Sequence, residues 1–165
     1  MTNLARFTSL LFAGLFAGFL TAVLVLELSL RSFDRTVYTQ VRLVELDSLD
    51  TLAVATLLPA LLATTVLVYR SFRTSARWLT VAALALLVFV FGLTVVVNLP
   101  INSDQLGWNV QSPPADWSAV RDRWQISHAA RTLAAVLAFA LLALAAPLTS
   151  RAPVAGRPPS RKIPA

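Results

Sequence analysis

Four stretches of this chain, residues 7–30, 52–69, 78–97 and 129–147, are apolar almost without interruption. Each is close to the about 20 residues that carry a helix through a hydrocarbon layer roughly 30 Å thick. The runs predict an all-α fold, an antiparallel four-helix transmembrane bundle spanning residues 1–150. Composition agrees: 57% of the residues are hydrophobic and 13% charged, whereas soluble chains average about 45–50% and about 25%. The first run follows Arg6 in the manner of a signal peptide. Its length exceeds the roughly 7–15 residues of a typical signal core, and the following LELSLRSFDR offers no small-residue cleavage site. It therefore reads as a helix.

The basic residues set the orientation. The N-terminus, the RSFRTSAR loop and the tail carry Arg6, Arg70, Arg73, Arg77, Arg151, Arg157, Arg161 and Lys162 without an acid. Residues 31–51 and 98–128 mix arginines with Asp34, Glu45, Asp47, Asp50, Asp104, Asp116 and Asp122. Lysine and arginine are retained in the cytoplasm, so both termini are expected inside a bacterial cytoplasmic membrane and the two long loops outside. A reporter fused after Ala165 is then expected to be active only in the cytoplasm, and one inserted at Gln111 only outside. The opposite pattern would invert every placement that follows. The tail, 151–165, is proline-rich and basic, and is expected to be a disordered segment that can lie on anionic lipid.

Much chemistry is excluded. Without cysteine there are no disulfides, thiolate nucleophiles or iron–sulfur ligands. A single histidine, His128, cannot alone supply two-histidine haem ligation or the paired ligands of a di-iron bundle. Neither metal nor cofactor is expected. The net charge of +6 is not gathered with aromatics on a polar face, so nucleic acid is not an expected partner; the lipid bilayer is.

The outer loops have helical patterns of their own. In DRTVYTQVRLVELDSLD, Val37, Val41 and Val44 recur at helical spacing, as do Leu43 and Leu46, predicting a short helix along the membrane face. Pro100 disfavours helical geometry at Leu99 and predicts that the third span ends near Asn98. Asp116 or Ser118 is expected to cap a helix whose polar first turns lead into the fourth span. Pro59 is the one candidate kink.

On that last helix Arg121, Trp124, His128 and Arg131 are spaced to share one face. An arginine one turn inside an apolar helix should look into the bundle. Glu27, the only acid inside any of the four runs, is expected to pair with it. Polar side chains from three segments, Glu27, Asn98, Asn102, His128 and Arg131, would thus converge at one depth, the usual mark of a site. Each also has a plain structural account. A Glu27–Arg131 pair can be a pin between helices, and His128 can hydrogen-bond a carbonyl. Trp124, like Trp78, Trp108 and Trp117, can be an interfacial anchor, and the asparagines can cap helix ends. Gly14 and Gly18 form a small-xxx-small face through which a homo-oligomer could pack, although the spacing is equally compatible with no special role.

VVVNLPIN, followed after a tryptophan-bearing loop by RWQISHAARTLAAVLAFALL, resembles the N-x-P-x-N and W-x-x-x-H-x-x-R-T-L pattern of the DUF1772 group, the anthrone oxygenase-like small membrane proteins. A weaker likeness covers AGFLTAVLVLELSL. The resemblance implies a four-helix membrane protein related to fungal enzymes that oxidise anthrones to anthraquinones with molecular oxygen and no evident cofactor. It also implies that Asn98, Pro100, Asn102, Trp124, His128 and Arg131 occupy motif positions. The first span departs from the proline-bearing version of some relatives and has Glu27 in that region.

The chemistry is compatible with this. A cofactor-free oxygenase must take a proton from an electron-rich substrate and hold the resulting anion. His128 is the expected base, because imidazole titrates near neutrality. Arg131, Asn98 and Asn102 would hold an enolate oxygen, and Trp124 would stack on a planar aromatic substrate. Glu27 would orient Arg131, and Arg121 would complete the binding face. O2 is the expected co-substrate. The competing class is a non-enzymatic membrane scaffold or partner subunit. A solute carrier is disfavoured, because no broken mid-membrane helix is evident.

Overall fold

The computed structural model describes residues 2–148, so the basic tail expected at 151–165 lies outside the described residues. Helix α1 is Thr2–Ser29, followed by a 3-10 turn at Leu30–Ser32; α2 is Arg35–Ser48, α3 Asp50–Ser71 and α4 Arg77–Leu93. A π-helical turn, Thr94–Asn98, leads into α5, Leu99–Gln105, and α6 is Trp117–Leu148. Among the described residues four stretches are long and apolar enough to cross a membrane: Asn3–Ser32, Asp50–Ser71, Arg77–Gln105 and Trp117–Leu148. Helix α1 packs on α3 and α6, and α4 packs on the same two, so the ring order is α1, α3, α4, α6.

Small residues dominate the shared core. Ala13, Ala17, Ala60, Ala83, Ala134, Ala135 and Ala138 interleave with Phe16, Leu20, Leu57, Leu87, Val90 and Leu142. Lipid is as apolar as leucine, so close van der Waals packing, which alanine permits, must hold such helices together. Large side chains such as Leu62, Val96 and Ile126 are correspondingly exposed on the outside. Gly14 lets a ring of the same chain approach, not another backbone: a Cβ there would lie 3.1 Å from Cε2 of Phe139. Nothing lies within 4 Å of a Cβ at Gly18.

The third span does not stop at Asn98. Leu99 keeps helical dihedrals, φ −62° and ψ −45°, and its N–H donates to the Thr94 carbonyl five residues back. In an ideal α-helix Pro100 would press on the carbonyl four residues earlier and withhold its donor. The wider π turn moves the pairing register by one residue just before the proline, which falls in the first turn of α5, where a missing N–H costs nothing. The Thr94 hydroxyl donates back to the Val90 carbonyl at 2.7 Å, loosening the same turn. Pro59 lies inside α3, which continues through it.

Helix α2 exists, but its inward face is not the valine face. Asp34 caps it, accepting from the N–H groups of Thr36 and Val37. The buried positions are Tyr38, Thr39, Arg42, Glu45 and Leu46, while Val44 is exposed and Val37, Val41 and Leu43 are half-buried. A helix closing the polar end of a bundle can turn charges inward if the bundle supplies partners for them, and this one does.

Candidate functional site

At the end of the bundle closed by α2 and α5 lies a cavity of about 560 Å³, within the range usual for small-molecule pockets. Phe19, Leu20 and Val23 of α1 form one wall, and Arg42, Glu45 and Leu46 of α2 another. Leu49, the first turns of α3 with Asp50, Thr51 and Ala53 to Ala55, Thr94, Leu99, Asn102, and Trp124, His128 and Arg131 of α6 complete it. Its floor is set by the contact of His128 with Leu20, nine residues before the end of α1 and so roughly 14 Å along that helix.

The polar wall is organised by Arg42. Its Nε donates to Gln105 Oε1 at 2.9 Å, its Nη2 to Asn102 Oδ1 at 2.7 Å, and its Nη1 to Glu45 Oε2 at 2.8 Å and Glu27 Oε1 at 3.4 Å. The guanidinium also lies 3.9 Å from the centroid of the Trp124 ring, a cation–π contact in a desolvated setting. Gln125 Nε2 donates to Glu27 twice, at 2.9 Å to Oε2 and 2.8 Å to the carbonyl. Trp124 Nε1 donates to Asn102 Oδ1 at 2.8 Å. Burial, and then the negative charge of Glu27, push the Glu45 carboxyl up to about 7 against the opposing pull of Arg42. The Tyr38 hydroxyl, beside Gln105, is pushed up by the same two causes.

The expected Glu27–Arg131 pair is not formed; Glu27 pairs with Arg42. The level of Glu27 on α6 is marked by Gln125, and Arg131 lies six residues further on, roughly 9 Å deeper. The two were matched in depth only by ignoring how far α6 extends before its apolar run. Arg42, Glu45, Gln105 and Gln125, which complete the cluster, were not singled out by sequence. The spacing of Tyr38, Arg42 and Glu45 on one face of α2, and of Asn98, Asn102 and Gln105 on the third span, was the available signal.

His128 and Arg131 form the deeper part. The His128 ring stacks on Trp124 with centroids 4.6 Å apart and planes 9° from parallel. Its Nε2 lies 3.0 Å from the Leu20 carbonyl. A carbonyl only accepts, so Nε2 carries the hydrogen, and in a neutral ring that leaves the lone pair on Nδ1. Nδ1 is buried with no hydrogen-bond partner. Arg131 is 6% exposed, and its Nε is likewise buried without a partner. Among the described residues no carboxylate lies within 4.0 Å of its guanidinium. A buried, unpaired cation thus borders a largely apolar cavity.

Other expected site residues are placed differently. Trp124 lines the cavity but is 4% exposed, with Arg42 and His128 packed against its ring. The Asn102 oxygen already accepts from Arg42 and Trp124, and its Nδ2 lies 3.5 Å from Asp50 Oδ1. Asn98 is buried outside the cavity lining, accepting from Ser127 at 2.8 Å with its Nδ2 unpartnered. Arg121 shares the helix face of His128 but stands seven residues, roughly 10 Å, above it. There it pairs with Asp122 and covers Trp117, away from the cavity.

The fold and cavity define a class: a small four-helix membrane protein with a mostly apolar pocket lined by an imidazole with a free nitrogen and by a guanidinium without an ion-pair partner. A family model described as anthrone oxygenase matches residues 50–141, and the chain belongs to that family, the DUF1772 group. No curated protein and no solved structure matched the chain. The matched residues include Trp124, His128 and Arg131, whereas the wall formed by Glu27, Arg42 and Glu45 precedes them.

Proposed function

We propose that the chain oxidises a planar, enolisable aromatic of the anthrone type with O2, within the cavity between α1, α2 and α6. The observation that carries this reading is that His128, whose Nδ1 is an acceptor without a partner, and Arg131, whose guanidinium has no ion-pair partner, line one largely apolar cavity. An anthrone has a methylene between two aryl rings, opposite a ketone. Its proton is acidic because the charge left behind spreads to the ketone oxygen. His128 Nδ1 takes that proton, and Arg131 holds the enolate oxygen in a desolvated setting where the interaction is strong. The electron-rich anion then passes electrons to O2 directly. Phe19, Leu20, Val23 and Leu46 supply the apolar walls for the rings.

Trp124 holds His128 in place in this scheme, and Asn102 holds Trp124 and Arg42. The second reading, a non-enzymatic scaffold, draws on the burial of the His128 ring, which is 2% exposed, and on the apolar groove along Gly14 and Gly18. The test is oxygen uptake by the purified protein in lipid discs with anthrone as substrate, followed by the absorbance of anthraquinone. One O2 consumed per quinone, with at least a tenfold loss of rate on Arg131→Gln, is expected if the guanidinium holds the anion (about 1.4 kcal/mol or more). A parental protein that neither binds nor oxidises anthrone would leave the scaffold.

A further inference from the structure

Turning a methylene into a carbonyl with O2 yields one carbonyl group and one water, and it removes two protons from the same carbon. His128 is poorly suited to take both. Its ring is clamped between the Trp124 stack and the Leu20 carbonyl, so its lone pair points in one fixed direction. After oxygen has added, the remaining C–H bond has a different direction, and an acceptor on another wall is needed.

Three carboxylates lie near the cavity. Glu27 does not line it, and both its oxygens are engaged, by Arg42 and Gln125. Asp50 lines it but is exposed and already 3.5 Å from the Asn102 amide. Glu45 lines it from α2, is 5% exposed, is held through Oε2 by Arg42, receives no donor at Oε1, and hydrogen-bonds to the Glu27 carboxylate when it carries a proton.

We infer that Glu45 is the second proton acceptor of the pocket, the group that removes the last proton from the oxygenated carbon; the inference rests on the oxygenase reading above. In the first half, His128 Nδ1 takes one C–H proton and the carbanion gives its electrons to O2 as the C–O bond forms. The peroxide anion recovers the proton from His128, leaving a hydroperoxide on a carbon that still bears one hydrogen. In the second half, Glu45 Oε1 takes the remaining C–H proton and that bond's electron pair becomes the second bond of the carbonyl. The O–O bond breaks, and the departing hydroxide takes the proton from Glu45 as water. The four electrons lost by carbon are the four gained by O2.

Ionisation suits the role, since a carboxyl pushed up to about 7 both accepts and releases a proton near neutrality. The titratable groups acting on it are Glu27 from α1 and Tyr38 and Arg42 on its own helix, while Asp50 from α3 and His128 and Arg131 from α6 line the same cavity. Helix α5 contributes only the neutral amides of Asn102 and Gln105.

Glu45→Gln keeps an acceptor for Arg42 but cannot take a proton. With anthrone as probe, in lipid discs, anaerobic exchange of the methylene hydrogens for deuterium reports the first half. Anthraquinone formation in air reports both halves. For Glu45→Gln exchange should stay near the parental rate while quinone formation falls about 10²–10⁴-fold and organic peroxide accumulates. Glu45→Asp should restore part of the quinone rate, and parental quinone formation should rise with pH through about 7. Quinone formation by Glu45→Gln at the parental rate would overturn the inference. So would loss of exchange together with oxidation, since the residue would then be needed before the second half. A parental protein that neither exchanges nor oxidises anthrone would remove the oxygenase reading and this inference with it.

Discussion

Arg42→Leu is expected to destabilise the folded protein by about 3–5 kcal/mol, because it strips a buried cation from two buried carboxylates. Arg42 is 3% exposed and donates to Gln105, Asn102, Glu45 and Glu27, so none of these groups can turn to water when it goes. The loss should depend on pH. The fold raises the Glu45 carboxyl from 4.5 to about 7. A group raised in this way contributes stability that is complete below about 4.5 and is lost as the pH rises through about 7. Without the cation the charged form is less tolerable still, so the deficit of Arg42→Leu relative to the parent should be larger at pH 8 than at pH 5. Unfolding midpoints in detergent at the two pH values measure this; equal deficits would show that Glu45 keeps no special dependence on Arg42. Replacing Glu27, Arg42 and Glu45 together by leucine should recover most of the loss, since a whole buried ion cluster contributes little net stability against apolar packing.

His128→Gln is expected to lower anthrone oxidation by about 10²–10⁴-fold while leaving the bundle folded, since it deletes the proton acceptor and little packing. Deuterium exchange at the methylene should fall by the same factor. Trp124→Leu should act mainly through kcat, because the buried indole stacks on the imidazole and holds it in place. A rise in KM alone would return Trp124 to the substrate. Oxidation at the parental rate by His128→Gln would end the assignment of the base.

Sequence made the deep half of the pocket legible and left the upper half hidden. Trp124, His128 and Arg131 lie on one uninterrupted helix, where helical spacing fixes which side chains share a face. The four spans were equally plain, since run length and bilayer thickness decide them. The partner of Glu27 was not plain, because pairing across helices depends on axial offset. That offset depends on where α6 begins, and its polar first turns lie outside any apolar run. Nor was the inward face of α2. Its valines suggested a membrane-lying surface, whereas Arg42 found four side-chain acceptors among Gln105, Asn102, Glu45 and Glu27, a gain no reading of α2 in isolation could weigh. Pro100 misled for a related reason: its local preference against helix was met by the turn before it, at residues 94–98.

That turn decides where along the third span the pocket tolerates a change in chain length and where it does not. A π turn is geometrically a helix with one residue too many, and each residue turns an α-helix by about 100°. Deleting any one of Thr94 to Asn98 would return the stretch to α geometry and leave Asn102 and Gln105 close to their present facing toward Arg42, because the wide turn already absorbs the extra residue. Pro100 would lose the widened turn that accommodates it. In variants of this chain a single-codon deletion between 94 and 98 would therefore be felt first at Pro100, whereas the same deletion in the regular α-helix at 77–93 would rotate Asn102 and Gln105 by about 100° relative to that helix and take the polar wall out of register.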